Sequence, residues 1–162
     1  MADMGEHWLT IMVGLPRSGK STAAARLAAE EDAVVVSNDW IREHILGESY
    51  SYSEPANAVV WALSDAALRI VLGQGRSAVF DGANLTRSTR AFFVGIARRH
   101  GAKVRILWVN TPLKECLKRN SAAGGHKLPA GKLRSMADGM QPPGGDECDE
   151  LVLERPELGD VT

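Results

Sequence analysis

Cysteine is scarce: Cys116 and Cys148 are the only two in 162 residues. Two thiols cannot build a disulfide framework, and neither stands in a C-x-x-C or Cys/His pair of zinc-site spacing. The four histidines, His7, His44, His100 and His126, are scattered and form no H-E-x-x-H. No uninterrupted apolar run approaches the ~20 residues that cross a bilayer. The opening residues, Met-Ala-Asp-Met-Gly-Glu-His, are acidic where a secretory signal is basic and then apolar. These absences argue against secreted, membrane-spanning, collagenous and disordered classes. A reduced, cytoplasmic globular domain is the expectation.

What is present suits that class. Hydrophobic residues make up 44% of the chain and charged residues 24%, enough for one core without covalent staples. The net charge of −1 hides a segregation. Residues 1–66 carry 4 Lys/Arg and 10 Asp/Glu, residues 67–136 carry 14 Lys/Arg against Asp81 and Glu115, and residues 137–162 carry Arg155 against 8 acids. So basic a middle stretch points to a polyanionic partner, with solvated helix faces as the bland alternative.

Strands and helices alternate along the chain. Trp8–Val13, Ala33–Val36, Ser77–Phe80 and Val104–Val109 are short, apolar and rich in β-branched residues, the pattern of strands buried on both faces. Helical patterns follow over 21–31, 39–46, 55–72, 86–100, 112–120 and 131–140, with the polar loop ESYSYSEP after Gly47. The expected fold is α/β: a parallel sheet of four to five strands, helices on both faces and a small helical lid over about 119–134. Residues 1–140 form the expected domain. The proline- and glycine-rich, acidic segment 141–162 reads as a mobile or surface-laid tail.

Gly14-Leu15-Pro16-Arg17-Ser18-Gly19-Lys20-Ser21, followed by Thr22, fits G-x-x-x-x-G-K-[ST] between a strand and a helix. Backbone N–H groups of such a loop wrap a β-phosphate, and the glycines leave room for the approach. Lys20 supplies a point charge to the β- and γ-phosphates, and the Ser21 hydroxyl is a hard oxygen ligand for Mg²⁺. A guanine-selecting N-K-x-D is missing, and the chain is too small for a motor. A small ATP-dependent kinase fits best.

Asp39 follows the second strand, where parallel strand ends converge beside the loop. It is the candidate general base, and it also suits a helix cap. Arg42, one turn on, could hold an acceptor phosphate. Asp81 ends the third strand and could hold a Mg²⁺-bound water or orient an acceptor-side arginine. Asn84 is a second acceptor-side candidate or an ordinary turn residue. Arg119 introduces the glycine-containing GGHK loop and could clamp donor phosphates, with a basic helical hairpin as the alternative. Trp40, Trp61 and Trp108 read as core or pocket wall rather than base-stacking platforms. His126 reads as a solvated loop residue and Cys116 as a buried, inert thiol.

Together these residues resemble the kinase half of the bacteriophage polynucleotide kinase–phosphatase and the small P-loop kinases around it. The resemblance rests on Gly14 to Thr22, on Asp39 and Arg42, on Asp81, Asn84 and Leu85, and on Lys118-Arg119-Asn120-Ser121. Leu128-Pro129 and Leu133-Arg134-Ser135-Met136 extend it, over roughly residues 8–140. It implies that Lys20 and Ser21 bind ATP and Mg²⁺, that Asp39 activates the acceptor hydroxyl, that Arg42 contacts the neighbouring phosphate, and that Arg119 clamps the donor phosphates. Arg17 departs from the glycine common there, the acid near the third strand is displaced by one position from some relatives, and no phosphatase D-x-D-x-T is present. The expected activity is phosphoryl transfer to a nucleic-acid hydroxyl, most directly a polynucleotide 5′-OH. The alternatives are a hydroxymethylated DNA base, a small molecule such as a nucleoside, and an ATP-hydrolysing switch. A nucleic-acid acceptor is the expected partner, a membrane is not, and self-association stays open.

Overall fold

The computed structural model describes residues 5–47, 53–125 and 127–156. Strand β1 (Trp8–Val13) leads through the phosphate loop into α1 (Lys20–Glu31), then β2 (Val34–Ser37) and the short α2 (Asn38–His44). The long α3 (Glu54–Gly73) returns the chain to β3 (Ala78–Asp81), and α4 (Arg87–Arg99) leads to β4 (Lys103–Val109). Helices α5 (Leu113–Ala122) and α6 (Ala130–Asp138) precede a 3₁₀ turn (Gly145–Glu147) and β5 (Glu150–Glu154).

All five strands are parallel, in the order β2-β3-β1-β4-β5. Alternation along β1 sends Leu9, Ile11 and Val13 to one face and Met12 to the other. On the first face they meet Leu68 and Leu72 of α3 and Phe93, Ile96 and Ala97 of α4. On the second they meet Ala23, Ala24 and Ala28 of α1, whose small side chains let that helix lie close to the sheet. Helix α3 is long and apolar enough to cross a membrane by length and composition. Its Val60, Ser64, Leu68 and Leu72, spaced by four, are buried on the fold instead. Ser53 caps its start, accepting a hydrogen bond from the Ala56 N–H.

The segment beyond Gln141 corrects the sequence reading. It is no loose tail: β5 pairs with β4 from Arg105↔Glu150 to Val109↔Glu154, so the sheet runs past residue 140. Its acids face the basic middle of the chain. Arg87 pairs with Asp146 and Glu147, Arg90 with Glu147, Arg98 with Asp149, and Arg105 with Glu150 and Glu31. The Arg90 side chain is fully buried in α4 and bonds Glu147 at 2.8 Å and the Asn84 carbonyl at 3.0 Å. Burial alone would raise the Glu147 carboxyl. Hydrogen bonds from Arg90 and the Gly144 N–H, with the nearby charge of Arg87, hold it below the ordinary value. Trp40, expected in a wall, is 54% exposed and stacks on His44 at 4.5 Å. Part of the ESYSYSEP loop (48–52) and His126 lie outside the described residues.

Candidate active site

The sheet order reverses at β1, and the loops after β1, β2 and β3 open on one cleft of about 1000 Å³. Gly14 begins the phosphate loop under close contact: a Cβ there would lie 2.7 Å from Ser18 Oγ and 3.0 Å from the Val109 carbonyl. Its N–H bonds the Ala83 carbonyl at 3.2 Å, tying the loop to the end of β3. Arg17 (φ 68°) and Gly19 (φ 94°) both take left-handed backbone. That explains why glycine suits position 17, and Arg17 holds the shape at a cost of roughly 1–2 kcal/mol.

The loop is braced from β4 and α5. Thr111 Oγ1 donates to the Ser18 carbonyl at 2.6 Å, and Arg119 donates to the Arg17 carbonyl at 3.1 Å while bonding Glu115 at 3.2 Å. The segment expected to form a lid is thereby brought onto the phosphate loop. Asn120 closes the α5–α6 hairpin: its amide donates to the Leu128 carbonyl at 2.7 Å and accepts from the Leu128 N–H at 3.1 Å. Ser18 Oγ is buried with no hydrogen-bond partner among the described residues. The Lys20 ammonium, 8% exposed, has a neutral carbonyl, Leu15, at 3.4 Å. A phosphate fits this orphaned hydroxyl, buried cation and glycine-lined cradle.

Asp81 is buried beside the Ser21 hydroxyl, which it hydrogen-bonds. Burial pushes its carboxyl above the ordinary value, the Lys20 charge and the Ser21 hydrogen bond oppose the rise, and Asp39 adds to it. Of its two expected roles, holding a Mg²⁺-bound water or orienting an acceptor-side arginine, Asp81's contacts with the loop lysine and serine suit the first. Among the described residues no cluster of three acidic, histidine or cysteine side chains could hold a metal alone. Ser21 and Asp81 are two hard oxygens, which suits a Mg²⁺ that completes its shell with water and phosphate.

Also lining the cleft, Asp39 stands in the first turn of α2, which Ser37 caps by accepting from the Trp40 N–H. Arg42 lies 3.4 Å from Asp39 and 2.9 Å from Asn57 Oδ1. Arg42 is 12% exposed and Asp39 60%, so the arginine is held in place and the carboxylate is open. Of the two readings of Asn84, its geometry favours the turn residue, though it lines the cleft. Its backbone is left-handed (φ 49°) and its amide donates to the Met12 and Gly82 carbonyls at 2.8 and 3.2 Å, so those donors serve the turn.

Sequence reading missed Asn57, Asn38, Ser64, Thr111 and Glu115. Ser64, in mid-helix, donates to Asn38 Oδ1 at 2.7 Å, and both line the cleft. Only Glu115 had a legible signal, its i,i+4 spacing to Arg119.

Residues 9–143 match the AAA domain family, most of the chain. The chain belongs to that family. It is 30% identical over 111 residues to Bos taurus 6-phosphofructo-2-kinase/fructose-2,6-bisphosphatase 1, covering 59% of this chain and 24% of that protein. The chain thus spans about a quarter of that relative. Kti12 of Chaetomium thermophilum, solved with ADP-AlF3, superposes with a TM-score of 0.74 at 18% identity, over 92% of this chain and 89% of that one. Two structures of the Pnkp1/Rnl/Hen1 complex superpose with TM-scores of 0.74 and 0.63 at 21% and 25% identity. They cover 85% and 76% of this chain and 45% and 41% of theirs. The fold is that of P-loop kinases.

Proposed function

We propose that this protein is an ATP-dependent kinase that transfers the γ-phosphoryl group to a polynucleotide 5′-hydroxyl. One observation carries the reading: Asp39, open to solvent, is paired with a held Arg42 across the same cleft as the phosphate loop. A carboxylate beside a held arginine suits a hydroxyl acceptor with a neighbouring phosphate, the carboxylate as base and the arginine as phosphate holder.

In this mechanism the loop N–H groups and Lys20 bind the donor phosphates, and Arg119 adds charge from the lid. Ser21 and Asp81 would hold Mg²⁺, which when bound neutralises charge on the phosphate oxygens. Asp39 Oδ accepts the acceptor's hydroxyl proton, and Arg42 orients the acceptor through its phosphate. Transfer from labelled ATP to 5′-OH oligonucleotides tests the reading. Asp39→Asn is expected to abolish transfer and keep ATP affinity. Absence of label on every oligonucleotide would sink it.

A second reading, a small phosphorylated acceptor, is favoured by the ion pairs that neutralise much of the basic middle stretch. It keeps the same residues and shortens the acceptor.

A further inference from the structure

The cleft that holds Asp39 and Arg42 is also lined by Phe80, Phe93 and Trp61. Phe80 and Phe93 are buried, with ring centroids 4.3 Å apart. Trp61 stands 5.0 Å from Phe93 and 4.9 Å from Phe92, yet is 40% exposed. Single exposed apolar side chains are ordinary on a convex surface. An indole fixed by two phenyl rings and bared inside a cleft is a different matter, because it offers a rigid π-face to whatever enters.

The helix beneath it supplies a second, independent observation. Asn57, Val60, Trp61 and Ser64 line the cleft from one face of α3. Asn57 is the residue that holds Arg42 at 2.9 Å. Trp61 is four residues further on, just over one helical turn or about 6 Å along the axis. A phosphate on Arg42 and a base on Trp61 would therefore be read from neighbouring turns of one helix face. Val60, Phe80 and Phe93 add apolar lining, and the Ser64 hydroxyl on the same face of α3 is already engaged in donating to Asn38. A flat heterocycle suits the Trp61 face because it needs only a stacking surface.

We infer that Trp61 is the stacking platform for the base of the acceptor nucleotide, and that the acceptor hydroxyl is carried by a nucleoside unit bearing a neighbouring phosphate. The inference rests on the phosphotransfer reading above and deepens it. Stacking on a π-face tolerates sequence, so the platform distinguishes base from no base and not one base from another.

The test titrates three ligands by calorimetry into the wild type, Trp61→Phe and Trp61→Ala: adenosine 3′-monophosphate, cytidine 3′-monophosphate and the abasic dideoxyribose 3-phosphate. Both nucleotides are expected to bind the wild type on the order of tenfold more tightly than the abasic ligand. Trp61→Phe keeps most of that ratio, and Trp61→Ala brings it close to one without changing ATP affinity. Equal binding of base and abasic ligands by the wild type, or an unchanged ratio in Trp61→Ala, overturns the inference. The same ligands, and 5′-OH dinucleotides, are then offered with labelled ATP. Base-dependent binding without transfer would defeat the kinase reading and leave the platform standing. Transfer without base preference would do the reverse.

Discussion

At the scale of single residues, the site separates charge that is in use from charge that is waiting. Lys20 is buried against a neutral carbonyl, and removing it takes away the ammonium closest to the loop's own backbone. Lys20→Ala is expected to lower transfer by on the order of 10² or more, measured as kcat with ATP saturating, because catalysis here is positioning and charge stabilisation. Asp81 is the opposite case. A carboxyl whose folded pKa lies above its unfolded one disfavours the fold as pH rises through the folded value, so at neutral pH Asp81 costs the ligand-free protein stability. Asp81→Asn is therefore expected to leave the Tm of the free protein at pH 7 unchanged or raised. The same variant should lose most of the Tm gain that Mg²⁺ and nucleotide give together. A large fall in the free protein's Tm would mean that the carboxylate is structural.

At the scale of elements, the buried pair of Arg90 in α4 and Glu147 in the 3₁₀ turn docks the C-terminal segment onto the fold. Glu147→Gln leaves a fully buried guanidinium uncompensated and is expected to cost about 3–5 kcal/mol, read as a Tm drop on the order of 10 °C. The wild-type pair also carries a pH signature. Because the folded Glu147 pKa is depressed, its contribution is present above the unfolded value of 4.5 and lost as pH falls through the folded one. The slope of Tm against pH in that window should flatten in the variant. This segment was also what the sequence hid. Strands β1 to β4 and the six helices were legible because apolar runs, caps and a phosphate-loop pattern mark them locally. Strand β5 reads Glu-Leu-Val-Leu-Glu at a sheet edge, with Leu151 and Leu153 exposed, and follows a Pro-Gly run that looks like an ending. Its place is set by long-range pairing with β4 and by ion pairs with α4, which no local window contains. The site divides along the same line. The loop, Asp39 and Arg42 announce themselves by spacing, whereas Asn57 and Thr111 act only through neighbours brought up by the fold.

At the scale of the whole molecule, the three charge blocks of the sequence fold onto one another. Of the 14 basic residues in 67–136, at least seven (Arg69, Arg87, Arg90, Arg98, Lys103, Arg105 and Arg119) are ion-paired with acids. Four of those, Arg87, Arg90, Arg98 and Arg105, pair with acids beyond residue 140. Together the pairs engage at least half of the stretch's basic residues, including most of those on α4, within the fold. If the acceptor is the proposed polynucleotide, the nucleotide next to the attacked hydroxyl in the cleft is the expected recognition point. Salt dependence measures this directly, because each phosphate neutralised on a single strand contributes a slope of about −0.7 to log affinity against log salt. The expected slope for a 5′-OH oligonucleotide is about −0.7 to −1.4, one or two phosphates, read from acceptor KM at several salt concentrations. Arg42→Ala should raise that KM, flatten the slope by roughly one phosphate and leave the KM for ATP unchanged. A slope equivalent to five or more phosphates would mean that basic residues outside the cleft also receive the strand. An unchanged slope and KM in Arg42→Ala would remove the arginine from acceptor binding altogether.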